Sequence, residues 1–113
     1  MTPAAAIAAL DRQIRTHGQS VALRKTNAPT DGTADTAIRA FVRGVQPEEL
    51  AGGVQQSDSK VVLSPTTLAG SPFEAGVKRG DKLLIDGRLR NVEGANPVRV
   101  NGVAVRHELW VRG

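Results

Sequence analysis

Two stretches in the second half of the chain decide the fold: Arg79-Gly-Asp-Lys-Leu-Leu-Ile-Asp-Gly-Arg-Leu-Arg-Asn-Val92 and Pro97-Val-Arg-Val-Asn-Gly-Val-Ala-Val-Arg-His-Glu-Leu-Trp-Val-Arg-Gly113. Each is a pair of strand-like runs interrupted by a dipeptide, Asp86-Gly87 in the first and Asn101-Gly102 in the second. Both dipeptides readily take the positive backbone angles that two-residue hairpin turns demand. Beyond Asn101-Gly102, Val103, Val105, His107, Leu109 and Val111 alternate with Ala104, Arg106, Glu108, Trp110 and Arg112, the period of a long half-buried strand. Lys60-Val-Val-Leu-Ser64 supplies a shorter strand upstream. The second half therefore predicts a meander of antiparallel strands.

The first half adds one helix and two strands. Thr2 is placed to cap, Pro3 fits a first helical turn, and Ala4 to Thr16 are mostly good helix formers before Gly18. Ile7, Leu10 and Ile14 recur at spacings of three and four, giving a helix over about residues 3–17 one apolar stripe. Val21 and Leu23 mark a first strand, Ala28 to Asp35 a polar turn, and Thr36 to Val45 a second strand with Ile38, Ala40 and Val42 on one face. Gln46 to Ser59 is too long for an ordinary hairpin connection. Loops of that length tend to be functional or disordered.

Composition narrows the class. At 113 residues, residues 1–113 form a single domain, which buries about two-thirds of its unfolded surface. With 3% aromatic residues and no Tyr, short aliphatic side chains must fill the core, which suits a small β-barrel. The expectation is a mainly β protein: a small antiparallel β-barrel with one short N-terminal α-helix and a long loop between strands two and three. The absence of Cys excludes disulfides, thiol catalysis and thiolate metal sites. The apolar start, Met1 to Leu10, has no basic residue before it and is interrupted by Asp11 and Arg12, so it reads neither as a signal peptide nor as a membrane span. The protein is expected to be intracellular when made. A net charge of +4 permits polyanionic neighbours, although the arginines are spread singly along the strands.

Catalytic patterns are scarce. His17 and His107 lack the i, i+4 spacing of helix-borne metal ligands, and no Gly-x-Ser-x-Gly turn or phosphate-cradling Gly-rich loop occurs. Glu48 and Glu49 are adjacent and so point in different directions. The expectation is a protein that is not an enzyme and uses no cofactor or metal. Trp110, alone on a polar strand face, reads either as a stacking platform or, better, as half-buried against the helix or another subunit.

Two families are similar to parts of this sequence. Ser71 to Gly87 resembles the central stretch of a PDZ domain, where a Gly-Asp turn leads into a strand ending in Asp-Gly, but the carboxylate-binding loop is missing and no second helix follows Gly87. The second resemblance spans nearly the whole chain: the N-terminal helix, a strand, Arg39-Ala-Phe-Val-Arg43 feeding a long polar loop, Val61-Val-Leu-Ser-Pro-Thr66, Gly80 to Gly87, Asn91-Val92 and the closing Val105 to Gly113. That order is similar to the head–tail joining (head-completion or stopper) proteins of long-tailed bacteriophages and phage-like gene transfer agents. The resemblance implies a virion protein at the particle neck, assembled in the bacterial cytoplasm. It implies a barrel subunit in a ring, a dodecamer, between portal or adaptor above and tail-completion or tail protein below, with double-stranded DNA in the channel and no membrane partner. It also implies a channel loop at Gln46, Glu48, Glu49, Gly52, Gly53, Gln55, Gln56 and Asp58. Arg106, Glu108, Trp110 and Arg112 are the candidate subunit interface, where Arg–Glu alternation suits cross-subunit pairs. A PDZ-like peptide-binding module and a small basic barrel binding nucleic acid directly are the alternatives.

Overall fold

A computed structural model describes residues 2–26, 35–44, 59–71, 73–74 and 76–112. Helix α1 (Pro3–His17) precedes strands β1 (Gln19–Arg24), β2 (Thr36–Gly44) and β3 (Ser59–Leu63). A single turn of helix α2 (Pro65–Leu68) follows, then β4 (Lys82–Ile85), β5 (Arg88–Val100) and β6 (Val103–Arg112). The strands close into an antiparallel barrel in the order β1-β2-β3-β6-β5-β4. The expected mainly β barrel with one N-terminal helix is thus the architecture found. Both hairpin turns form as the dipeptides require: Asp86 and Gly87 have φ of 51° and 78°, and Asn101 and Gly102 repeat those values.

Alternation builds the core. Val21 and Leu23, Ile38 and Ala40, Val61 and Leu63, Leu83 and Ile85, Val92, and Leu109 and Val111 all point inward and are buried. One end of the barrel is stoppered by the chain itself. Between β3 and β4, Leu68, Phe73 and Val77 drop into the same core. Asp81 fixes this plug: its buried carboxylate accepts hydrogen bonds from Thr26 N (3.3 Å) and Thr26 Oγ1 (3.2 Å) at the end of β1 and from Lys78 N (3.0 Å) within the plug. Three donors around one carboxylate offset the cost of burying it.

Helix α1 lies on the outside of the barrel. Thr2 caps it by accepting from Ala5 N at 3.1 Å, as the sequence predicted. Leu10 and Ile14 are buried against outward-facing Val62 and Phe41, while Ile7 is only half-buried. Asp11 latches the helix to the plug by accepting from the Ser64 and Thr66 hydroxyls, the latter at 2.8 Å. Gly18 ends the helix for a reason other than left-handed backbone. A Cβ there would stand 2.4 Å from the Ile14 carbonyl oxygen and 2.9 Å from that of Ala40, so only glycine lets the chain turn from helix into barrel at this point.

Two features differ from expectation. Ser64 leaves the third strand to cap α2, its hydroxyl accepting from Thr66 N at 3.2 Å. The runs ending at Val92 and beginning at Pro97 are one strand, β5, continuous through Glu93–Asn96. Glu93 sits in a register shift between Val92 and Gly94 on the β6 ladder, and a bulge at that point lets the strand bend without ending.

Candidate interface on β6 and its ribbon

β6 carries the four residues that the sequence singled out, and its neighbours explain what each does. Outward residues of β2, β3, β6 and β5 stand in cross-strand rows: Arg43, Lys60, Trp110 and Gly94 form one, and Phe41, Val62, Glu108 and Asn96 the next. Glu108 lies between two cations of its own chain, 3.3 Å from Lys60 Nζ and 3.5 Å from Arg106 Nη1. Arg112 stands 3.9 Å from Glu93 across the β5–β6 ladder. The expected Arg–Glu alternation is therefore used within the subunit.

Trp110 is half-buried, with Lys60 Nζ 5.8 Å above its ring. Its other side faces Gly94, where an added Cβ would come within 3.6 Å of the indole. The indole Nε1–H is buried and has no hydrogen-bond partner among the described residues. Lys60 on β3 and Gly94 on β5 thus flank this Trp from both neighbouring strands.

Between α1 and the outer barrel face runs a groove of about 410 Å³ with Leu10, Ile14, Phe41 and Val62 as its apolar part and Arg106 and Glu108 among its polar lining. Sequence reasoning missed Phe41 and Val62. The signal was present: Val61, Val62 and Leu63 are buried consecutively, and a strand apolar on both faces has something packed outside it.

The ribbon made by β5 and β6 is the most distinctive surface. β4 pairs with β5 only through Arg88–Asn91, and Gly80 and Asp81 extend that contact to Val92 through two backbone hydrogen bonds. β3 pairs with β6 only from His107 to Val111. From Gly94 to Pro97 β5 has β6 alone as its ladder partner, and from Val98 opposite Arg106 to Val100 opposite Val103 the two strands pair with each other alone among the described residues. Val103 is 47% exposed and Arg99 and Ala95 are also exposed. At the ribbon's base His107 is half-buried beside Gly76. Burial, and then the positive charge of Arg99, push its pKa below the usual 6.5.

At the opposite end, Gly44 pairs with Ser59 at the barrel rim. The candidate channel residues from Gln46 to Asp58 lie outside the described residues, between those two. Arg90 reaches this rim, donating from Nη1 to Ser59 Oγ at 3.2 Å, with its Nε buried and unpartnered among the described residues. His17 and His107 belong to different elements, and no group of three or more His, Asp or Glu side chains able to hold a metal occurs among the described residues. After Gly87 the chain continues directly as β5, so the helix that walls a PDZ peptide groove has no counterpart at that position. No helix among the described residues is long and apolar enough to cross a membrane. Comparison with protein-family models, with curated proteins and with solved structures finds no match to this chain.

Proposed function

We propose that this chain is a non-catalytic structural subunit of the head–tail connector of a bacteriophage or phage-like gene transfer agent, a stopper or head-completion ring through which packaged DNA passes. The observation that carries the reading is the β5–β6 ribbon, which leaves a closed barrel and has unpaired edges along residues 94–100 and 103–106 among the described residues. Strand edges and the exposed Val103 on an otherwise finished domain suit contact with neighbouring subunits, because such edges are normally shortened, covered or paired. Pro97 removes one edge donor on β5, which limits open-ended pairing of the kind that makes fibres rather than closed rings. The order of elements along nearly the whole chain, matching that of the head–tail joining proteins, supports the same reading. So does the pairing of Gly44 with Ser59, the described residues that flank positions 45–58 in the sequence, at one mouth of the barrel.

Purified particles provide the test. The protein is expected in them in ring stoichiometry at the neck, visible in averaged images, while the free chain sediments as a monomer or weak oligomer. Absence of the chain from purified particles rejects the connector reading. Replacing residues 50–58 by a short Gly/Ser linker probes the channel loop separately: folding and head–tail joining should persist while DNA retention or delivery fails. Normal retention and delivery by such particles would remove the gating role.

A further inference from the structure

Cations that look scattered in the sequence meet at one corner of the plugged end. The Asp81 carboxylate binds Thr26 N and Lys78 N on its two oxygens, which draws Lys25 at the end of β1 toward Lys78 and Arg79 in the plug. Gly80 is packed so closely on this corner that a Cβ would lie 3.3 Å from Thr26 Oγ1. Lys82 opens β4 beside them, paired in register with Arg24 and held toward Asn91 Oδ1 at 2.9 Å. Lys25 is positioned by the plug itself, its Nζ 4.4 Å from the centre of the Phe73 ring.

Among the described residues the acidic groups in this neighbourhood are occupied. Asp81 is 5% exposed and spent on three donors, Asp35 is held in a bidentate pair by Arg24 at 2.8 and 2.9 Å, and Glu74 accepts from Gly70 N. Among the described residues no carboxylate lies within ion-pair distance of Lys25, Lys78, Arg79 or Lys82. The apolar side chains here, Phe73 and Val77, are buried beneath the surface.

We propose that this corner binds the phosphate backbone of double-stranded DNA without sequence preference. An interface with an acidic protein favours an apolar centre, and among the described residues this corner exposes none. Lysines on a fixed backbone suit phosphates that move past, because each is a point charge without directional base readout. The inference deepens the connector reading, on which it rests for the DNA that reaches it. It is nevertheless separable, because the corner lies at the opposite end of the barrel from Gly44 and Ser59.

The experiment measures anisotropy of a short fluorescent DNA duplex against the full chain across a salt series starting at low ionic strength. Lys78→Gln with Arg79→Gln, both at exposed positions, is expected to weaken binding for every sequence tried and to flatten the slope of log K against log salt by about two. Adding Lys25→Gln should flatten it further. Arg12→Gln with Arg15→Gln, exposed on α1, should leave the slope within error. An unchanged slope in the corner variant, an equal loss in the α1 variant, or no binding by the wild type at low salt overturns the proposal. Competition by polyglutamate as effective, charge for charge, as DNA overturns it in favour of an acidic protein partner. Loss of the DNA site with the chain still present at particle necks leaves the connector reading standing; DNA binding by a chain absent from particles does the reverse.

Discussion

The plug and the β5–β6 ribbon leave the same end of the barrel and are built on opposite terms. In the plug, Leu68, Phe73 and Val77 join the barrel core, and Asp81 ties the segment to β1 through three hydrogen bonds. In the outer part of the ribbon, from Val98 opposite Arg106 to the turn, β5 and β6 pair only with each other among the described residues, and although Val105 is buried, Val103 is 47% exposed. A segment with no regular structure beyond one helical turn is therefore the better anchored of the two, while the regular hairpin is the one left unfinished. Hydrogen-bonded regularity and burial are separate sources of stability, and here they have been assigned to different segments.

The largest expected effect breaks the plug. Phe73→Ala should destabilise the protein by about 3–5 kcal/mol, whereas Val103→Ser should stay within about 0.5 kcal/mol, both measured by denaturant unfolding. A cost at Val103 comparable to that at Phe73 would show that the ribbon tip is packed in the free chain, and the contrast would fail. Next comes the staple. Asp81→Ala leaves the Thr26 and Lys78 amides without their partner and should cost about 2–3 kcal/mol. Little change there would mean that apolar burial alone holds the plug.

A smaller effect is expected at the latch between helix and plug. Asp11→Ala removes the acceptor for the Ser64 and Thr66 hydroxyls and should cost about 1–2 kcal/mol. Hydrogen exchange should rise selectively in α1, because the helix buries little beyond Leu10 and Ile14. Uniform acceleration across the barrel would show instead that helix and barrel open together.

The smallest effect is one of pH, at the base of the ribbon. Because burial and Arg99 favour neutral His107, its folded pKa lies below the unfolded 6.5, and the unfolded chain binds more protons between the two values. Stability from this residue is therefore complete above pH 6.5 and is lost as pH falls through the folded pKa. His107→Asn should remove that part of the pH dependence. An unaltered profile would assign the acid sensitivity to other groups.

The helix from Pro3 to His17, both two-residue hairpin turns and the inward alternation along β6 were legible residue by residue, because capping, turn chemistry and period-two burial are local properties. The continuity of β5 through Gly94 was not, since a strand that bends at a bulge and lies against Trp110 across the ladder is defined by its partner. Of the candidate interface, the common face of Arg106, Glu108, Trp110 and Arg112 was readable from spacing alone. Their engagement with Lys60 and Glu93 of the same chain was not.

By itself the sequence determined the N-terminal helix, the two hairpin turns and the faces that β1, β2 and β6 turn inward, because these depend on residues a few positions apart. Tertiary structure alone decided what closes the barrel, what covers its outer face and where its charges collect. Phe41 and Val62 become helix-binding residues only when α1 crosses them, and Lys25, Lys78 and Arg79 become one corner only when Asp81 draws two distant segments together. The physical reason is that burial and electrostatic potential depend on distance in space, and a closed barrel places residues from both halves of the chain side by side.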